Sequence, residues 1–219
     1  MYRPRPDAER RSLFMPTARV DSAPSTVRLE PVQQRSTRRL EDLLNAAATY
    51  IHDNGFETLT TAHVAEIAGS SIGTVYRYFP DRIALLDALA HRNAERAEEK
   101  VTSMVLSSQP ATLLDLVNVA VEALADMFRH EVGFRAIRLG DPLDIRPARA
   151  QRWGVRGFAA AAGRTWQGSL QPADAEGLEL SMDVAEATLA KAFLQHPKGE
   201  RGTISQAGEL ARLALGVAR

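Results

Sequence analysis

The sequence predicts an all-α fold, with an N-terminal three-helix domain built around a helix-turn-helix and a larger C-terminal helical domain. Three observations predict it. Leu and Ala supply much of the 45% apolar content, whereas β-branched and aromatic residues are fewer, a mix that favours helix over strand. After residue 36, apolar residues recur at three- and four-residue intervals. The periodic stretches are broken at Gly, Pro and Asn-Gly, residues that stop helices.

The N-terminal stretch stands apart. Residues 1–33 are rich in Pro, Arg, Ser and Thr and lack apolar periodicity. They cannot bury enough surface to offset ordering entropy and are expected to form a disordered basic tail. Residues 1–40 hold nine arginines against four acids, although the whole chain is neutral, with 27 residues of each sign.

Ser36 is a plausible cap for a first helix with Leu40, Leu43, Leu44, Ala47 and Ile51 on one face. Asn54-Gly55 stops it, because both residues tolerate a left-handed backbone. Phe56 and Leu59 can turn back into the core. Thr60 or Thr61 caps a second helix through Ala68. Gly69-Ser70-Ser71 breaks it. A third short helix, Ile72 to Phe79, ends at Pro80, which disfavours a helical residue before it. Asp81 then caps a long helix over 82–107.

The remaining segments also read as helices. One covers about 111–130, with a single polar stripe of Asp115, Asn118, Glu122 and Asp126, so it belongs at the centre of the C-terminal half. Gly133 and the Gly140-Asp141-Pro142 turn bracket a short helix. Another begins near Pro147, which suits a first helical position, and runs to about Ser169. The final two cover about 173–195 and 203–217. The chain thus divides into a tail (1–33), a helix-turn-helix domain (34–82) and a helical domain (83–219).

Several function classes find no support. Cysteine is absent, which excludes disulfides and thiolate metal sites. There is no apolar run of 18 residues, so no membrane association is expected. The N-terminus does not read as a secretory signal, and a cytoplasmic protein is the default. No nucleophile motif or phosphate-cradling glycine loop points to an enzyme, and no cofactor is expected. The five histidines (52, 63, 91, 130 and 196) fall singly, without the paired spacing of a metal site.

Residues 60–79 have the logic of a helix-turn-helix. Two short helices crossing steeply need a small or glycine-containing turn, here Gly69-Ser70-Ser71. Ala65 allows their close contact, and Val64, Ile67, Val75 and Phe79 can form a shared core. Ser71, Gly73, Thr74, Arg77 and Tyr78 then remain on the outer face of the second helix. They can meet phosphates or base edges. Ser70 and Ser71 are alternatively just turn and cap residues. Tyr76 and Tyr78 are either core aromatics or contacts; Phe79 reads as core. The basic tail is either simply solvated or an arm that touches DNA.

The order of these pieces is specific. A first helix Leu40-Glu-Asp-Leu-Leu-Asn-Ala-Ala, a stop at Asn54-Gly55, the turn at Gly69 and a recognition helix Gly73-Thr-Val-Tyr-Arg-Tyr-Phe79 follow one another. Residues 36–90 resemble the N-terminal domain of tetracycline-repressor (TetR/AcrR-type) family regulators. The resemblance implies phosphate contacts from Thr60 and Thr61 at the start of the second helix. It places Ser71, Ile72, Gly73 and Thr74 at the N-terminal end of the recognition helix, where backbone N–H groups favour phosphate and side chains reach bases. It implies that Tyr76 and Tyr78 contact phosphate or bases, and that Arg82 is a further phosphate clamp. Ile72 departs from the family, which often has Lys or another polar residue there. An Ile can pack on a thymine methyl or lower affinity. Arg77 can bind guanine bidentately.

The resemblance also implies a homodimer through the last two helices. Leu178, Met182, Ala185, Leu189 and Ala192 form an a/d-like seam, and Ile204, Ala207, Leu210, Ala211, Ala214 and Val217 a broad apolar face. Both can instead cover the monomer's own core. A pocket for a small-molecule effector is implied as well. Met127, Phe128, Phe134, Trp153, Phe158 and Trp166 can line it, or they are ordinary core. Arg135, Arg138, Asp141 and Asp144 are loop charges or readers of a polar ligand group. The expected function is a sequence-specific DNA-binding transcriptional regulator, a repressor released from a palindromic double-stranded operator by a small molecule. The alternative is a DNA-organising or partner-binding protein of the same fold, without ligand response.

Overall fold

A computed structural model describes residues 32–139, 154–194 and 196–217. These residues form eight helices: α1 (Val32–Asn54), α2 (Thr61–Ile67), α3 (Ile72–Tyr78), α4 (Arg82–Ser108), α5 (Leu113–His130), α6 (Val155–Thr165), α7 (Pro172–Phe193) and α8 (Arg201–Val217). No strand occurs among the described residues. The tail proper, residues 1–31, and the Gly140-Asp141-Pro142 turn, Asp144, Pro147 and Trp153 lie outside them.

Local chemistry sets the ends of the short helices. Thr60 accepts a hydrogen bond from the His63 amide at 3.2 Å and so caps α2. At the other end Gly69 is left-handed, with φ of 56°. Its amide bonds the Glu66 carbonyl, and the Ser70 amide reaches back to Ala65 at 2.8 Å. That six-to-one bond closes the helix and turns the chain sharply into α3. Asp81 caps α4 through the Ala84 amide at 2.8 Å. Thr112 and Asp115 exchange bonds as a capping box on α5.

Three predicted boundaries are corrected. Helix α1 begins at Val32, before the predicted cap Ser36, which is an exposed helical residue. The segment after Gly133 forms hydrogen-bonded turns as far as Ile137, and no helix occurs there among the residues described to Leu139. Gly133 itself has φ of 83°, which breaks the helical path. Helix α6 stops at Thr165 instead of Ser169, because Trp166 is extended and its indole Nε1 donates to the Pro110 carbonyl at 2.8 Å.

The described residues hold two cores. The first joins α1, α2, α3 and the start of α4 around Leu43, Ala47, Ile51, Val64, Val75, Phe79 and Leu85. The second joins the rest of α4 to α5–α8. Helix α4 serves both, with Leu89 in the first and Val101 in the second. Helix α5 is buried along most of its circumference, and its stripe of Asp115, Asn118 and Glu122 is exposed as expected. The turn after α5 also bridges the cores. Ile137 inserts into the first, and its carbonyl accepts from Asn93 Nδ2 of α4 at 2.9 Å.

The seam expected to dimerise faces the other way. Leu178, Met182, Ala185, Leu189 and Ala192 of α7 are all buried within the monomer, as are Ala207, Ala211 and Ala214 of α8. The opposite face of α8 is open instead. Leu210, Leu213 and Val217 are 43%, 68% and 79% exposed, with Gln206 completing steps of four, three and four. Leu180 of α7 is also exposed.

Candidate nucleic-acid interface

The second helix of the motif is short, so its geometry depends on its ends. Ser71 caps α3, accepting from the Thr74 amide at 3.1 Å while its Oγ meets Thr74 Oγ1 at 2.9 Å. Val75 is completely buried and Phe79 nearly so, which fixes the roll of the helix. That roll turns Ile72 and Tyr76 outward, 47% and 51% exposed, beside exposed Gly73 and Arg77. A Cβ on Gly73 would meet only Ser71 Oγ, at 3.9 Å, so the fold does not demand glycine there. The missing side chain lets another molecule approach the backbone closely.

The sequence-predicted residues do not all share that surface. Thr61 is buried, and Thr60 uses its hydroxyl as a cap. Tyr78 is half-buried. Its hydroxyl lies 3.2 Å from Ser36 Oγ on α1, and the Arg77 guanidinium sits 5.4 Å from its ring centroid. The Ser36 hydrogen bond, helped by the Arg77 and Arg39 charges, lowers the Tyr78 pKa from its ordinary value. Arg82 turns inward and donates to the Phe56 carbonyl at 2.5 Å, bracing the turn between α1 and α2. Of the expected motif core, Ile67 is the exception at 48% exposure. Thr61, Val64, Ala65 and Ala68 define the inner face of α2, and Ile67 falls off its edge.

One group of residues escaped the sequence reading. Arg35, Arg38 and Arg39 are exposed on the first turns of α1, which Tyr78 ties to the recognition helix through Ser36. The excess of arginine before residue 40 was the available signal, although these three positions fall in the expected helix-turn-helix domain (34–82) and not in the tail (1–33). Arg39 and Arg77 both act on Tyr78, so positive charge from α1 lies beside that of α3, the charge a phosphate backbone requires.

Residues 43–89 match the family described as bacterial regulatory proteins, tetR family. A solved tetR-family transcriptional regulator from Streptomyces coelicolor superposes with a TM-score of 0.69 at 26% identity, covering 83% of this chain and 99% of that one. The N-terminal helix-turn-helix domain is that of the tetR family, and the chain shares the fold of that solved regulator. Among curated relatives, the HTH-type transcriptional repressor KstR of Mycolicibacterium smegmatis is 33% identical over 69 residues, 32% of this chain and 34% of that protein. The nucleoid occlusion factor SlmA of Mannheimia succiniciproducens is 27% identical over 124 residues, 55% of this chain and 56% of that one. The chain therefore spans about a third to just over half the length of these two relatives.

Behind this tetR-family domain, the residues expected to line an effector pocket are mostly packed. Met127, Phe128, Phe134 and Phe158 are buried. Phe128 meets Phe134 edge-on at 5.1 Å and stacks on Phe193 at 5.3 Å between ring centroids. Trp166 is half-buried and borders a small cavity of about 100 Å³ with Pro110. Trp153 lies outside the described residues. Among the described residues no three His, Asp or Glu side chains gather as a metal would need, and no helix is long and apolar enough to cross a membrane.

Proposed function

We propose that the chain is a homodimeric, sequence-specific DNA-binding transcriptional regulator, a repressor released from a palindromic operator by a small molecule. One observation carries the DNA reading: a capped, core-anchored recognition helix presents Ile72, Gly73, Tyr76 and Arg77 together, beside the exposed arginines of α1. Thr74, Tyr78, Ser71 and Thr60 support that face from its edges. Arg82 is assigned a bracing role, and Thr61 a core one. The exposed Leu210, Leu213 and Val217 of α8 supply the apolar surface for a second copy. Such a dimer presents two recognition helices about one DNA turn apart, roughly 34–36 Å.

A second reading has its own support. The matched stretch shared with the nucleoid occlusion factor SlmA is longer than that shared with the repressor KstR. Under it, the protein binds many sites for chromosome organisation and has no ligand response. Genome-wide site selection with purified protein separates the two. A regulator selects one or a few short palindromes, and gel shifts on the best site lose binding with Thr74→Ala or Tyr76→Ala. Many-sited, sequence-tolerant binding by folded dimer would replace the regulator reading with the organising one.

A further inference from the structure

A cavity of about 830 Å³ opens where the small N-terminal domain meets the helices behind it. Its walls are the turn between α1 and α2, the start of α4, the turn after α5 and the last turn of α7. Its volume falls in the range of small-molecule sites. Four cationic side chains line it, Arg82, Arg135, Arg138 and Lys191, against one carboxylate, the exposed Glu57.

These cations differ in how they are matched. Arg138 Nε lies 3.8 Å from the buried carboxylate of Glu186. The other three have no carboxylate partner among the described residues. Arg135 donates only to carbonyls, from Nε to Phe128 at 2.7 Å and from its terminal nitrogen to Pro197, and lies 5.3 Å from the Phe193 ring centroid. Burial pulls its pKa below the ordinary value. Arg82 has the Phe56 carbonyl alone, and its Nε is buried without a partner. Lys191 is exposed at the rim. Half-buried cations held by neutral groups are incompletely compensated, and a ligand anion supplies the missing charge. Between them, Phe56, Ile83, Leu86 and Leu194 give the cavity an apolar lining, with Ile83 and Leu194 50% and 80% exposed.

We propose that this joint binds an amphipathic organic anion. Its carboxylate or phosphate group pairs with Arg82, Arg135 and Lys191, and its apolar body lies against Phe56, Ile83 and Leu194. The site is separate from the packed aromatic cluster of Phe128 and Phe134. It deepens the effector reading, on which its regulatory consequence rests. Arg82 braces the turn ahead of α2, so an anion that draws its guanidinium away loosens the support of the recognition unit.

The test is calorimetric titration of the full chain with decanoate and with decyl phosphate, using decyltrimethylammonium as the cationic control. At least one anion is expected to bind and the cation not. Which anion binds more tightly identifies the headgroup. Lys191→Glu, a surface change that leaves the melting temperature in place, is expected to weaken binding about tenfold or more. Failure of both anions to bind, equal binding of the cation, or an unchanged affinity in Lys191→Glu would overturn the site. A gel shift on the same variant without ligand keeps this outcome distinct from failure of the regulator reading, because Lys191 lies outside the DNA-facing surface.

Discussion

Arg92 Nη1 donates to Asn45 Oδ1 at 2.9 Å, and this contact, from a buried arginine to an exposed asparagine, fastens α4 to α1. Glu41 and Glu131 lie at 3.9 and 4.0 Å, and Arg96 pairs with the same two carboxylates. Burial, with the charge of Arg96, lowers the Arg92 pKa, and the two glutamates oppose them. The cluster joins the recognition unit, the long helix and the turn after α5. Arg92→Ala leaves these partners facing a void. It is expected to lower stability by roughly 2–3 kcal/mol, less than for a fully buried pair because Glu41 is 44% exposed. Urea unfolding checks this; a midpoint equal to wild type would show that the cluster stabilises nothing.

Much of this architecture was legible because it is local. The caps Thr60, Asp81 and the stops at Gly55 and Gly69 act within four residues, so sequence alone locates them. The direction of a helix face is a different matter. The four-three repeat of α7 was visible, but whether Leu178 and Leu189 meet a second copy or their own α8 depends on tertiary packing. The same holds at the site. Ser71, Gly73 and Arg77 follow from the motif's geometry. The inward turn of Arg82 depends on a carbonyl 26 residues away, and no local pattern encodes it. Arg35, Arg38 and Arg39 became part of the face only once Tyr78 was seen to reach Ser36.

Gly133 tests how closely the turn after α5 presses on α1. Its φ is 83°, and a Cβ there would lie 3.1 Å from the Ala48 Cα and 3.2 Å from its carbonyl oxygen. Gly133→Ala combines left-handed strain with backbone crowding, an expected loss of about 2–4 kcal/mol. Thermal melts measure it. Gly216→Ala, which meets nothing within 4 Å, is the matched control and should change little.

Asp126 gives the fold an acid dependence. Burial works to raise its pKa, but Lys100 at 2.5 Å and His130 at 2.8 Å outweigh it and hold the carboxyl below its ordinary value. A depressed folded-state pKa stabilises the protein at pH above the unfolded value of about 3.9, and the gain is lost as pH falls through the folded value. The melting-temperature gap between wild type and Asp126→Asn is therefore expected to shrink between about pH 5 and pH 2. A gap that persists to the acid end would remove Asp126 from this role.

The outer face of α8 predicts the oligomeric state. Leu210→Glu with Leu213→Glu places two charges on a surface that is already open, so the monomer fold should be retained. Sedimentation is expected to show dimer converted to monomer, and affinity for a palindrome should fall at least tenfold because two half-sites are no longer engaged together. Dimers that survive the double substitution would move the interface away from α8.

Arg77 and Arg82 are only five residues apart, yet they should fail differently. Arg77 is exposed on the recognition helix and can pair with a guanine edge, so Arg77→Ala is expected to relax preference at one base position, by about 1–3 kcal/mol of discrimination. Arg82 instead braces the Phe56 carbonyl from inside the domain. Arg82→Ala should weaken every site to a similar degree and lower the melting temperature with it, because the whole recognition unit loosens. The salt dependence adds a second discriminant. If Arg82 were a phosphate contact, its loss would reduce the slope of log affinity against log salt by about one. A bracing role leaves that slope in place. Binding-site selection and salt titration on both variants decide the matter, and equal losses across all sites for Arg77→Ala would remove it from base recognition.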